Sequence, residues 1–421
     1  MSLRDKDKQY IWHPFDQMKG AEIIPIVKGD GVYVYDESGK RYIDAFSSWW
    51  VNLHGHAHPY IAQQVSKQLH ELEHVAFGGF THPQAVRLAE RLVNLLPLGV
   101  TKVFFSDNGS TANEVALKMA IQYWFNRGEK RNTFIALEND YHGDTFGSMS
   151  LTARGGFNEP FERFMFQVEF IPAPTAANLN SVLERLESLL KTGDVAAFVF
   201  EPLVQGAAGM LMHESEALSQ VLALCKKHEV LTIADEVFTG FGRTGRMFAS
   251  DHLTESPDMM CLSKGLTGGF LPLGITAVSE KIYQAFYSDE RKHSFLHGHS
   301  YTGNPVACAA ANASLDLFEQ EDVLARAAFI SAAHQDFVQR IKDHDKVRSA
   351  RSFGSIMAVE LESDAVSGYF NDAGKSAYRW LLEKGIIMRP LGNVLVLVPP
   401  YCISAGELDY IYRSVEEYLN N

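Results

Sequence analysis

Six short apolar runs separated by stretches of helical spacing occupy the middle of the chain: KVFFS (102–106), TFIAL (133–137), VAAFVFE (195–201), VLTIADE (230–236), MMCLS (259–263) and GITAVS (274–279). Runs without polar alternation suit strands covered on both faces, and their alternation with helices predicts a mostly parallel sheet between helical layers. The spacing assigns this large α/β domain to residues 59–314. The flanks have a different texture. Residues 23–45 place GDG and ESGK turn signals between short apolar stretches, which predicts an antiparallel meander. Past residue 315 come a charged helical stretch, strand-like SIMAVELE and NVLVLVPP, and the amphipathic ELDYIYRSVEEYL. Residues 315–421 therefore read as a smaller α+β domain, completed by residues 1–58. The sequence has no internal repeat and no Gly/Ser or Pro linker, so the two units are expected to pack as one body.

Composition narrows the function classes. With 46% hydrophobic and 21% charged residues in 421, the chain can bury a large core. Lys and Arg number 38 against 51 Asp and Glu, a net charge of −13 that disfavours nucleic acid and anionic lipid as partners. Cys225, Cys261, Cys308 and Cys402 are scattered, without CxxC spacing or neighbouring histidines, which indicates neither a disulfide framework nor a metal site. The first ten residues, MSLRDKDKQY, are charged where a secretory signal is apolar, and no run approaches the ~18 apolar residues of a membrane span. The expected location is the cytoplasm.

Four segments could carry chemistry. VLTIADEVFTGFGRTG ends an apolar strand in Asp235-Glu236 before a glycine-rich loop, which puts carboxylates where open α/β sheets bind ligands. Lys264, in CLSKGLTGG, follows another strand and can enter a pocket as a Schiff-base amine. In VFFSDNGSTANE a strand runs through Gly109 and Ser110 into a helix, with Thr111 and Glu114 spaced as a capping box, and first-turn N–H groups there favour an anion. Tyr141, after FIALEND, offers a ring for stacking. Taken singly, each reads more simply as a cap, a surface charge or core packing. A phosphate cradle, a stacking ring, an acid and an amine in this order along one sheet are the parts that hold pyridoxal phosphate.

With these residues in view, the chain resembles the class III (ω-amino acid) aminotransferases of the fold-type I pyridoxal phosphate enzymes over nearly its whole length. ADEVFTGFGRTG and LSKGLTGG are similar to the class's aspartate and lysine motifs. A narrower resemblance rests on IWHPF (11–15), SSWW (47–50), SDNGSTANEVALKMA (from 106), YHGDTFG (from 141), EPLVQGAAGM (from 201), HGHSYTGNPVACAAANASL (from 297) and IMRPLGNVLVLVPPY (from 387). It points to the branch that converts 8-amino-7-oxononanoate to 7,8-diaminononanoate in biotin biosynthesis, with S-adenosylmethionine as amino donor.

The resemblance implies Lys264 as the Schiff-base lysine, Asp235 as partner of the pyridine nitrogen, Gly109 and Ser110 on the phosphate, Tyr141 stacked on the ring and Gln205 near the ring hydroxyl. It further implies that His299 and Ser300 reach the phosphate of a second subunit in a homodimer with shared sites. Trp49 and Trp50, with Gly298, would wall the substrate channel, and Arg389 would hold a substrate carboxylate. Lys264, Asp235 and Tyr141 are the catalytic candidates, with no metal. Three positions depart from the usual pattern: Phe15 stands where many members carry tyrosine, Ser300 where threonine is usual and Val396 where an aromatic is common. Lysine as donor, or another ω-amino acid or amine transaminase, remains open. Ala207 and Ala208 occupy the stretch where glutamate-using members often carry a glutamate. A non-catalytic cofactor-binding regulator is disfavoured, because Lys264 is present and no basic module is attached.

Overall fold

A computed structural model describes every residue except 98, 153, 156, 157, 366, 368 and 369. The meander appears as β1 (Ile26–Asp30), β2 (Tyr33–Asp36) and β3 (Arg41–Asp44), antiparallel throughout. The central strands are β4 (Val100–Ser106), β5 (Thr133–Leu137), β6 (Val168–Ile171), β7 (Val195–Phe200), β8 (Leu231–Asp235), β9 (Met259–Leu262) and β10 (Gly274–Ser279). They form one sheet in the order β4-β10-β9-β8-β7-β5-β6. The pairs from β9 through β6 are parallel, and only β10 runs against its neighbours β9 and β4. Each of the six apolar runs is a strand. The additional strand, β6, is four residues long beside polar Gln167 and Pro172, too short for its apolar pattern to register.

The continuous apolar runs follow from burial on two faces. Along β8, Leu231 and Ile233 join one hydrophobic cluster while Ala234 joins the other; along β9, Met259 and Cys261 alternate in the same way with Met260 and Leu262. Helix α1 (Gly109–Asn126) covers one of these faces with Ala112, Val115, Ala116 and Met119, and the buried Trp124 indole N–H donates to the Ala196 carbonyl at 2.9 Å. Burying such side chains contributes roughly 1.5–3 kcal/mol each for the larger ones, which is what fixes the helix on the sheet.

Helix α2 (Pro305–Gln320) runs through residue 314, so the connection to the C-terminal segment is one buried helix. Beyond it, β11 (Val347–Phe353), β12 (Ile356–Leu361) and β14 (Val394–Leu397) form an antiparallel sheet, and the short β13 (Ile386–Ile387) pairs parallel with β3, Ile386 opposite Ile43. The N- and C-terminal segments thus share a sheet of order β1-β2-β3-β13. Among the described residues, no helix is long and apolar enough to cross a membrane.

The start of α1 differs from the sequence expectation in one respect. The cap is Asn108, whose side chain accepts from the Thr111 N–H at 3.0 Å while the Thr111 hydroxyl oxygen accepts from the Asn108 N–H at 3.1 Å. Glu114 instead accepts the Gly147 and Ser148 N–H groups, at 2.6 and 3.1 Å, because the chain after Tyr141 folds back over the helix.

Gly274 opens β10 opposite Ser106, and a Cβ there would lie 2.2 Å from the Asn108 carbonyl oxygen and 2.5 Å from Ser106 Oγ. Neither neighbour can yield without moving the capped end of α1. Gly274→Ala is therefore expected to destabilise the chain by about 3 kcal/mol or more, read as a lowered midpoint in urea unfolding with an unchanged slope.

Candidate active site

The carboxyl ends of β8 and β9 and the first turn of α1 open on a cavity of about 600 Å³. A crevice at the carboxyl edge of a parallel sheet is where side chains of successive strands converge without disturbing the ladder. Gly109, Ser110, Tyr141, Asp235, Lys264 and Trp50 all line it. Asp235 is the last residue of β8 and is buried; Lys264 sits two residues past β9. Gly109 is where the α1 backbone meets the chain after Asp235, since a Cβ there would lie 2.6 Å from a Val237 methyl. Cap bonds take up the Thr111 and Ala112 N–H groups, leaving those of Gly109 and Ser110 as the first-turn donors at the cavity rim. Two such N–H groups at the positive end of an 18-residue helix favour an anion.

Asp235 is held from three sides. Its Oδ2 accepts from the Asn113 amide at 2.7 Å and from His142 Nδ1–H at 2.8 Å, and its Oδ1 accepts from the Val237 N–H at 3.1 Å. The other imidazole nitrogen of His142 lies 3.5 Å from Asp140 Oδ2. Burial pulls the His142 pKa down, but the two carboxylates outweigh it and hold the group up at about 10. His142 is an imidazolium between two carboxylates at neutral pH. Glu201, also fully buried, accepts the Tyr141 N–H at 2.9 Å and the Gly206 N–H at 3.0 Å. Burial and the charge of Asp140 push its carboxyl up to about 8, so in neutral solution it keeps its proton. Burial, reinforced by Asp144, raises the Tyr141 phenol well above its ordinary value, so its ring remains a neutral flat surface. His142, Asn113 and Glu201 were not singled out from the sequence; the run of titratable residues in NDYHGD is the one signal that could have marked His142.

The SSWW segment forms the facing wall in an unusual way. Ser47, Ser48, Trp49 and Trp50 all have positive φ, at 52°, 46°, 72° and 69°, a left-handed turn that costs roughly 1–2 kcal/mol per L-residue. Tertiary anchors hold it: Ser47 Oγ donates to the Val398 carbonyl at 2.7 Å, and the buried Arg243 guanidinium donates to the Trp50 and Asn52 carbonyls at 3.4 and 3.3 Å. The buried Trp50 indole packs against Phe238, ring centroids 4.7 Å apart, and stands 4.7 Å from Lys264 Nζ.

Ala207 also lines the cavity, whereas Gln205, Trp49, Arg389, Gly298, His299, Ser300 and Val396 do not. Gln205 is buried, and its amide donates to the Glu138 carbonyl at 2.6 Å and Asp140 Oδ1 at 2.7 Å, bracing the carboxylate that faces His142. Trp49 meets other partners than Trp50 does: its ring lies tilted against Phe15, centroids 5.3 Å apart, with the Arg389 guanidinium 4.9 Å from it. Arg389 pairs with Asp16 at 3.0 Å. Gly298, His299 and Ser300 lie on a loop whose neighbours Leu296 and Tyr301 are exposed. Val396 is core, paired with Ala358 in the C-terminal sheet.

Residues 16–419 match the family model of the class-III aminotransferases. The chain belongs to that family. A relative from Synechococcus elongatus, described as adenosylmethionine-8-amino-7-oxononanoate aminotransferase, is 46% identical over 420 residues, covering 98% of each chain. A relative of the same description from Geobacter sulfurreducens is 41% identical, covering 100% of this chain and 97% of its own. Among solved structures, the enzyme of that description from Methanocaldococcus jannaschii superposes with a TM-score of 0.93 at 37% identity, covering 99% of this chain and 98% of that one. An amine transaminase from an uncultivated Pseudomonas species, solved in its PLP-bound form, superposes with a TM-score of 0.92 at 31% identity, each chain 98% covered.

In this aminotransferase the state of the Lys264 amine decides what the cavity can do. Burial lowers its pKa to about 8, with the Asp235 carboxylate pulling the other way. At pH 7.5 about a quarter of such an amine is neutral and nucleophilic, against roughly one part in a thousand for an ordinary lysine. In the cofactor-free chain, the rate at which trinitrobenzenesulfonate labels Lys264, followed by peptide mass spectrometry, is therefore expected to titrate near pH 8, while surface lysines titrate above pH 10. A Lys264 labelling midpoint at the ordinary value would contradict this.

Proposed function

We propose that the chain is a pyridoxal-phosphate-dependent transaminase that converts 8-amino-7-oxononanoate to 7,8-diaminononanoate in biotin biosynthesis, taking the amino group from S-adenosylmethionine. The observation that carries this reading is the pairing, across one cavity, of an amine with a lowered pKa and a carboxylate held by an imidazolium, in a chain related over its full length to enzymes named for these substrates.

The residues fit the cofactor. The two first-turn N–H groups of Gly109 and Ser110 suit its phosphate, the Tyr141 ring its flat face, the Asp235 carboxylate its ring nitrogen and the Lys264 amine its aldehyde. When bound, pyridoxal phosphate supplies an imine-forming carbonyl and a ring that takes up electron density as the substrate's α-proton moves. The protein's own contributions are separable. Lys264 would hold the aldehyde carbon until a substrate amine takes its place, and the freed Nζ would then take up and return the substrate's proton. Asp235, fixed by hydrogen bonds from His142 and Asn113, would receive the ring nitrogen. Trp50 and Phe238 exclude water from the amine.

Arg389 serves as the carboxylate anchor in this reading. Its guanidinium can form two parallel charge-assisted hydrogen bonds with a carboxylate, exchanging the Asp16 pair for substrate. Ala207 at the cavity wall offers no glutamate to neutralise an arginine between turnovers, which favours S-adenosylmethionine over glutamate as donor. His299 and Ser300, on their exposed loop, are read as reaching the phosphate of a second copy, which makes the working unit a homodimer. We place the enzyme in the cytoplasm, as its unpaired cysteines suggest.

The test is a pair of half-reactions on the purified, cofactor-loaded chain, each followed by the change in visible absorbance. S-adenosylmethionine is expected to convert the bound cofactor to its amino form, and 8-amino-7-oxononanoate to restore it. Lys264→Ala should abolish both, and Arg389→Ala should slow both by at least about tenfold at low substrate. Conversion by lysine but not S-adenosylmethionine would correct the donor, and failure of the acceptor to restore absorbance would overturn the reading.

A further inference from the structure

The left-handed SSWW turn carries one cavity wall, and its entry is held by a cluster that touches neither the cavity nor the cofactor residues. Asp44, the last residue of β3, is buried, and its Oδ2 accepts two hydrogen bonds: from the Ser48 hydroxyl at 2.7 Å and from the His56 imidazole at 2.8 Å. A carboxylate only accepts, so His56 presents Nε2–H to it. His56 is fixed in turn by a two-way backbone bridge to Gly31, 2.7 Å and 3.2 Å, at the β1–β2 turn of the meander. The meander is thereby tied to the middle of the turn. Ser48 itself is exposed and has the smallest φ of the four, 46°, a conformation that an L-residue leaves unless something restrains it.

The consequence falls on the two tryptophans. They are adjacent in sequence, and the left-handed path sends them to different surroundings, Trp50 onto Phe238 and the Lys264 amine, Trp49 onto Phe15 and Arg389. A turn released toward ordinary φ would move both rings together. Arg243 and Ser47 restrain the ends of the turn, and Ser48 is its central side-chain anchor.

We propose that Ser48, Asp44 and His56 form a clamp that sets acceptor specificity by holding the Trp50 indole at the cavity wall. The three are positioning residues. This rests on the transaminase reading for its substrate measurement alone, and the fluorescence measurement below stands without it.

Ser48→Ala removes the hydroxyl and keeps the conformational penalty; Ser48→Gly removes both. The clamp predicts that Ser48→Ala raises KM for 8-amino-7-oxononanoate by about tenfold, the equivalent of one residue's left-handed penalty, with kcat changed less than about twofold. Ser48→Gly should recover most of that loss. In the cofactor-free chain, Ser48→Ala should increase acrylamide quenching of tryptophan emission; in a Trp50→Phe background the increase should shrink to the part that Trp49 reports, and the effect on KM should vanish. Asp44→Asn should act in the same direction as Ser48→Ala. Equal behaviour of Ser48→Ala and Ser48→Gly, unchanged quenching, or effects that persist undiminished in Trp50→Phe would overturn the clamp. If the parent chain does not turn over this acceptor, the proposed function fails, and quenching alone decides the clamp.

Discussion

A buried imidazolium between two carboxylates is the interaction on which the site depends. Asp235 is buried at the end of a strand, and a buried carboxylate must be hydrogen-bonded. His142 and Asn113 supply those partners, each with a hydrogen bond shorter than 3 Å to the same oxygen. The second carboxylate, Asp140, is itself braced by Gln205 and by the Glu201 N–H, so the charge at Asp235 is traceable through His142 to residues 60 to 70 positions further along the chain. Removing either partner of such a pair leaves an uncompensated charge, which costs about 3–5 kcal/mol. The neutral Glu201 carboxyl completes the balance: it bridges the Tyr141 and Gly206 backbones without adding a third negative charge.

The same electrostatics explain the lysine. Lys264 stands close enough to two aromatic rings to lose most of its hydration, and the nearby Asp235 only partly offsets that loss. The wall that desolvates it is strained, because four consecutive L-residues take a left-handed path. Strain of this kind persists only where surrounding structure over-determines it. Here the surroundings are the C-terminal sheet through Val398, the glycine-rich loop after Asp235 through Arg243, and the meander through Asp44. The terminal segments of the chain thus act on the chemistry without contributing the reacting groups.

Much of this was legible in the sequence, for identifiable reasons. The strands that carry Asp235 and Lys264 are buried on both faces, so their apolar runs are continuous and their ends well marked; the helix that starts at Gly109 follows a strand, a cap residue and a glycine in direct succession. β6 was too short to register, and the capping partner of Thr111 was misplaced because Glu114 is drawn to the Gly147 backbone by a tertiary contact that spacing does not encode. The role of His142 was hidden for a similar reason: a histidine after a tyrosine reads as packing until the fold brings Asp235, 93 residues away, against it. The left-handed turn had no sequence signal, since nothing in Ser-Ser-Trp-Trp favours positive φ and the conformation is imposed from outside.

The charge state of His142 tests the account most directly. In protein labelled with nitrogen-15 histidine, the account predicts that the His142 ring nitrogens both remain protonated at pH 8.5, when ordinary histidines are neutral, and that Asp235→Asn lowers its midpoint by at least about one pH unit. A His142 ring that is neutral at pH 7, or one whose titration is indifferent to Asp235, would contradict it.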